Sequence, residues 1–443
     1  MYFKNLILYS LLVILFVLSS CDLDVVNPNT ASEEEVLETR EGMVTLAVGT
    51  QQYHATNFLL GHVMNTGVTA GEMGVTTTLA NYLELERGGE ALPTGNANIN
   101  MIWGRSFRMI GMAEDLIAEV DDIPMGEGTA QGISALAHFH KAAALGALAS
   151  AFEQTPVETM ELDRPGFLSR EDVLQEAIDL LDEAIDIGNQ SGFEFSDAFF
   201  NEVLSSDFDL ENTLYTYLAR FHLMLGNYQQ AYDAADAVDP TATSMFTLDD
   251  RSNNEIFVFH STDQLGYVAP REYFGLEGLI DENDGRLDFY LDPVDLESDE
   301  LGLPLDNLDG FFSSLTDDIP VYIPGEILLI KAEAIARQNG DTGEVVNYIN
   351  EVRTKTPDED PLGIGADLPE YEGDTDMDSL LEEIYIQRSA ELFLTGQRLE
   401  DSRRFDRPGP GLLDEGNERN RTFYPYPDSE RRDNPNTPDD PSI

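Results

Sequence analysis

The chain has 443 residues, 84 of them acidic and 25 basic, giving a formal net charge of −59. So negative a surface repels phosphate backbones and anionic headgroups, which excludes nucleic acid as a partner for most of it. The 42% of hydrophobic and 9% of aromatic residues nevertheless suffice for a large core, so the chain is not a disordered acidic tail.

Such an excess of one charge opposes a compact state in dilute salt. At about 1 M salt the screening length falls to roughly 3 Å and most of that penalty disappears. Lysine occurs only at Lys4, Lys141, Lys331 and Lys355. Acid excess and lysine scarcity together point to a halophilic protein that works in a salty medium.

In chain order, the first element is an apolar run from Leu6 to Leu18 behind a single cation, Lys4. It is too short to span a bilayer comfortably, which takes roughly 20 apolar residues. With the small residues Ser19 and Ser20 behind it, residues 1–20 read as a signal peptide. Leu18-Ser19-Ser20-Cys21 resembles the bacterial lipoprotein box, whose cysteine is acylated and becomes the mature N-terminus. Cys21 is the only cysteine in the chain, so no internal disulfide competes for it. Acyl chains contribute about 0.8 kcal/mol per buried methylene, enough for a multiply acylated end to hold the protein on a membrane without spanning it. No later segment reads as a transmembrane helix.

Next comes NYLELERGGEALPTGN, read as a Gly-rich loop carrying Tyr82 and Arg87. IWGRSFRMIGMAED follows as an apolar helix with the sole tryptophan, Trp103, beside Ile102 and Met109. That setting favours packing, although the indole also offers a face for stacking. Further on, Leu214, Tyr217, Leu218, Phe221 and Leu225 lie on one helix face, and Gly226-Asn227 supplies a stop. Tyr228, Ala231, Tyr232, Ala235 and Val238 then restart the pattern. This is a helix pair of the tetratricopeptide kind, whose apolar face a neighbour must cover. A second copy has Ile327, Ile330, Ala334 and Ile335 before Asn339-Gly340, and Val345, Ile349 and Val352 after it. Weaker members lie in ISALAHFHKAAALGALASAF and EDVLQEAIDLLDEAIDIG. Four irregularly spaced helix pairs predict a helical scaffold with long insertions rather than a regular solenoid.

The main insertion, about 241–320, is rich in Gly, Asp and Pro and carries Tyr267, Tyr273 and Phe274. From Asp378, DSLLEEIYIQRSAELFLTGQRLEDSRRF reads as a helix and its continuation, with Arg388 in reach of Glu391 and Glu400 in reach of Arg403 or Arg404. Beside Leu392, Phe393 and Leu394 these arginines are expected in internal ion pairs. Pro425 and Pro427 then favour an extended closing segment over 406–443.

At these residues the chain resembles a known family. QRSAELFLTGQRLEDSRRF followed by FYPYPDSERRDNPN is similar to the C-terminal signature of the RagB/SusD family of outer-membrane nutrient-binding lipoproteins. NNEIFVF, the pair ending EAIARQNGDTGEVVNYINEVR, and CDLDVVNPN after the lipoprotein box match as well. IWGRSFRMIGMAED departs from the family's usual helix by having Phe107 and Ala113-Glu114, and Gln387 stands where glutamate is common. The resemblance implies a mainly α, SusD-like fold with minor β, in which helix hairpins at about 40–240 and 321–405 form one mature domain, 21–443. It further implies a lipid-anchored protein at the cell surface that captures an oligosaccharide or peptide for a TonB-dependent, SusC-like barrel.

No chemistry is expected of the chain. His138 and His140 are two apart on a helix and so do not face each other. No HExxH, GxSxG or phosphate-cradling loop is present. With 84 acids, carboxylate pairs arise at every spacing, so they carry no evidence for a glycan hydrolase. DENDGRLDFYLD lacks the glycine and glutamate placement of an EF-hand and reads as a solvated turn. Neither a catalytic residue, nor a metal, nor a cofactor is therefore assigned. The candidate ligand groups are Tyr82, Arg87, Trp103, Tyr267, Tyr273 and Phe274, since aromatic faces stack on sugar rings or apolar side chains at little entropic cost. The alternative is a helical-repeat scaffold lipoprotein that binds no ligand.

Overall fold

The computed structural model describes residues 37–159, 164–260 and 266–443. The signal peptide, the lipoprotein box and Cys21 lie outside the described residues. The first helix, α1 (Arg40–Tyr53), runs directly into two π-helical turns, His54–Phe58 and Leu60–Met64. After the short strand β1 (Met73–Val75) come α2 (Ala80–Arg87), α3 (Ala97–Glu119) and α4 (Glu127–Ala151). Strands β2 (Gln154–Thr155) and β3 (Leu168–Ser169) form a minimal ribbon before α5 (Arg170–Ser191).

The hairpin read from the sequence is present as α6 (Leu210–Leu225) and α7 (Tyr228–Asp236). Asp209 caps the start of α6 by accepting from the Asn212 amide. Gly226 ends it in the left-handed conformation, φ 76°, with its N–H returned to the carbonyls of the last turn. Its second copy is α8 (Pro324–Arg337) and α9 (Thr342–Arg353), the latter capped by Asp341. α4 packs on α3 and α5, α5 on α6, α6 on α7, α7 on α8, and α8 on α9. The two weaker upstream segments are thus the two arms of a single hairpin, α4–α5. Each is one unbroken helix of 25 or 22 residues, so the described scaffold has three hairpins where four pairs were expected.

The insertion between α7 and α8 is more ordered than a loop. Strand β4 (Ser244–Phe246) opens it and β8 (Ile319–Tyr322) closes it, paired antiparallel, so the excursion leaves and returns at one place. Within it β5 (Val268–Pro270) pairs with β1, and β6 (Leu291–Glu297) pairs with β7 (Pro304–Leu308). The acidic stretch from Asp281 is a turn: its Oδ1 accepts from the Asn283 amide, and Asp284 caps the following helical turn.

The C-terminal region corrects one reading. α10 (Met377–Glu391) does not continue into α11 (Arg398–Arg404), because Leu394 and Gly396 take φ of 54° and 81° and reverse the chain. Asp401 therefore comes to lie opposite Arg388 and takes its Nε and Nη2, at 2.8 and 3.2 Å. Glu391, the partner expected from spacing, instead meets the fully buried Arg286 at 3.1 Å. The expectation of internal ion pairs is met: Glu400 binds Arg403 and Arg170, each at 2.5 Å, and Arg404 binds Asp401 and Glu333. Against the cost of burial, these guanidiniums hold the Glu400 carboxyl down at about 2. The closing segment is extended through Tyr424 and Tyr426 but then forms a short helix, α12 (Asp428–Asp433), just past Pro427. Tyr424 is buried and anchors that segment through Thr69 Oγ1, 2.7 Å away.

Candidate functional site

The β1–β5 ribbon pairs Val75 with Val268, so the residues flanking its two strands are neighbours in space. α2 follows β1, and Tyr267 precedes β5. Tyr267 is held by its backbone, donating to the Phe259 carbonyl at 2.9 Å and accepting from the Thr76 amide at 3.0 Å. The result is a stack of Tyr82 on Tyr267, ring centroids 5.0 Å apart and planes within 6° of parallel. Phe259 adds a tilted ring 5.3 Å from Tyr267. Tyr82 is 8% exposed whereas Tyr267 and Phe259 are half-buried, so the outer ring of the stack is the one a ligand could meet. Burial, and next the neighbouring Tyr267, push the Tyr82 phenol up to about 12.

Arg105, from α3, lies close enough to this face for its charge to act on the Tyr82 phenol, and Arg108 follows it three residues along the same helix. Arg105 donates through Nη1 to the Asn57 carbonyl at 2.7 Å, and Arg108 lies over the Tyr53 ring, 5.3 Å from its centroid. Asn57 sits on the first π-helical turn, where the widened backbone turns this segment toward α3. Aromatic faces, amide groups and two guanidiniums can stack on and hydrogen-bond a polyhydroxylated ring. Among the described residues no cluster of His, Cys, Asp and Glu could hold a metal ion. His138 faces Glu183 while His140 meets His54, so those two histidines indeed act apart.

The candidates named from sequence separate. Tyr82 and Tyr267 come together. Arg87, expected in a Gly-rich loop with Tyr82, instead ends helix α2 with it; five residues along a helix turn the direction by about 140° from Tyr82. It forms a bidentate pair with Glu300, at 2.8 and 2.7 Å, away from the stack. Trp103 is 7% exposed and enclosed by Phe107, Phe152, Phe167 and Tyr426, which leaves it a packing role rather than a ligand face. Phe274 is 0% exposed against Phe393 and Tyr290, so burial takes it out of the candidate set as well. Tyr273 is half-buried on the same turn, at φ 53°, and packs beside the core apart from the Tyr82 stack. Sequence reasoning passed over Tyr53, Arg105 and Phe259. The spacing of Arg105 and Arg108, three apart on one helix face, was the available signal for the cationic edge.

Residues 313–440 match the model of the SusD family. That match covers the C-terminal part of the chain, where the RagB/SusD-like signature lies. Solved structures agree in fold. A SusD superfamily protein from Bacteroides thetaiotaomicron VPI-5482 superposes with a TM-score of 0.67 at 17% identity, covering 91% of this chain and 100% of that one. A SusD-like carbohydrate binding protein from Bacteroides vulgatus ATCC 8482 gives 0.62 at 16%, over 82% and 83%. B. fragilis NanU gives 0.64 at 14%, over 93% and 99%. Identities this low speak for the fold alone. No curated protein matches the chain by sequence. The mainly α, SusD-like scaffold expected from the hairpins is the fold observed, and no described helix is long and apolar enough to cross a membrane.

Proposed function

We propose that the protein is a non-enzymatic nutrient-binding lipoprotein of the outer membrane. In this reading it captures an oligosaccharide, or a peptide, and delivers it to a TonB-dependent barrel of the SusC kind. The observation that carries it is the Tyr82–Tyr267 stack with Arg105 beside it, an aromatic and hydrogen-bonding face on a rigid helical scaffold. The match of residues 313–440 to the SusD family model supports it, as does the likeness in fold to a structure described as a carbohydrate binding protein. The anchor rests on Leu18 to Cys21, and the surface location and barrel partner rest on the family resemblance.

Calorimetry against panels of oligosaccharides and peptides tests the binding step. A saccharide should bind, and Tyr267→Ala should weaken it roughly tenfold, about 1.4 kcal/mol. Failure of every saccharide and peptide to bind would return the protein to the scaffold reading. A pull-down from the native membrane in mild detergent should recover a large TonB-dependent barrel in near-equal amount. The saline setting has its own check: melting midpoints should rise with sodium chloride, and an unchanged midpoint refutes it.

A further inference from the structure

The scaffold holds a second space, partly open and with charged groups on one side, apart from the tyrosine face. The π-helical turns, α4, α6 and the turn before α11 surround a cavity of about 60 Å3. At roughly 10–15 Å3 per water-sized occupant it has room for a small ion with a few waters and is too small for a sugar. Part of its wall is apolar, from Phe58, Ala143, Ala147 and Phe221. The charged part holds Arg220, Arg388 and Arg404 against Glu400 and Asp401. His54 and His62, also on the wall, are kept neutral by burial, His62 down at about 4.

Following each of these charges to its ion-pair partners gives an imbalance. Glu326 pairs with Arg220, Glu333 with Arg404 and Arg337, Glu400 with Arg170 and Arg403, and Asp401 with Arg388 and Arg404. Six guanidiniums thus share four carboxylates, inside a chain whose total charge is −59. Two buried guanidinium donors on the cavity wall are left over, beside the unpartnered ring nitrogens His54 Nε2 and His62 Nδ1. Arg388 is 1% exposed, with Nε and Nη2 turned to Asp401 and Nη1 without a protein partner, and Arg404 Nε is likewise unpartnered. Buried guanidinium donors need an acceptor, and this local cationic excess calls for one that is negative.

We propose that this cavity binds a small monovalent anion, a halide, against the free donors of Arg388 and Arg404. A sphere that needs few donors suits this small space, whose wall is largely apolar, better than sulfate or phosphate, which are larger and carry several oxygens to satisfy. The ion would halve the excess and tie together three parts of the chain distant in sequence: the π-helical turns, α4 with α6, and the C-terminal turn.

Crystals of the full mature chain grown in about 1 M sodium bromide, where screening is already nearly complete, provide the test. An anomalous peak is expected in the cavity beside Arg388 Nη1, and a map without one overturns the proposal. In solution, the melting midpoint should be higher in sodium chloride than in sodium gluconate of equal ionic strength, because gluconate is too large to enter. Equal midpoints contradict it, since general screening acts alike in both salts. Ala147→Leu narrows the cavity without touching an ion pair and should erase the chloride excess; its circular dichroism confirms that it folds, and an excess that persists in the folded variant argues against this site. If it does not fold, the bromide map of the unaltered chain decides.

Discussion

Arginines meet aromatic rings in two regions of this molecule, the buried junction of α10 and α11 and the half-open face at Tyr82. At the junction Arg388 is clamped by Asp401, and Arg398 and Arg407 lie over the Tyr385 ring. At the face Arg105 donates to a backbone carbonyl and Arg108 rests over Tyr53. The same residue types thus do different things according to their access to water. A buried guanidinium must have its charge answered by an anion enclosed with it, whereas one at the surface can rely on water and keep donors for a ligand.

The largest effect should come from breaking the buried side. Arg388→Ala removes one of the two guanidiniums that hold the enclosed Asp401, and denaturant melts should show a loss of up to about 3–5 kcal/mol. Trp103→Ala opens a cavity among Phe107, Phe152 and Tyr426 and should cost a comparable ~3–5 kcal/mol, while the folded fraction binds ligand unchanged. A large loss of affinity in that variant, once corrected for unfolding, would move the ligand face toward Trp103.

A pH series gives a smaller effect of defined sign. Burial raises the Glu72 carboxyl from 4.5 to about 7, with Arg398 and the Leu394 amide opposing it. A group whose value is raised on folding contributes stability that is complete below 4.5 and is lost as the pH climbs through about 7. Glu72→Gln should therefore compare better with the parent at pH 8 than at pH 5, and a flat difference would show that Glu72 is ionised throughout. The smallest effect is expected on the exposed side: Arg87→Gln removes the solvent-facing pair with Glu300 and should leave the melting midpoint and ligand affinity unchanged.

Residues that act through near neighbours were legible before any coordinates. The faces Leu214 to Leu225 and Val345 to Val352 predicted α6 and α9, because burial on a helix repeats every 3.6 residues. Gly226 marked its helix end for an equally local reason, the left-handed backbone that glycine takes freely. Acid excess and the RagB/SusD motifs likewise needed no coordinates. Misreadings arose where a local cue was outvoted. Gly88-Gly89 suggested a loop around Tyr82, yet these glycines only end a helix that begins at Ala80.

By itself, then, the sequence determined the helical hairpins, their stops, the burial of the arginine-rich C-terminal region and that region's resemblance to the SusD family. Tertiary structure alone decided that Arg388 takes Asp401 rather than Glu391, that Tyr82 stacks on Tyr267, and that Trp103 and Phe274 face inward. The first two of those outcomes depend on the chain reversal at Leu394 and Gly396 and on the register of β1 against β5. Both join residues that no helical or strand period relates, so only the packed molecule determines which side chains meet.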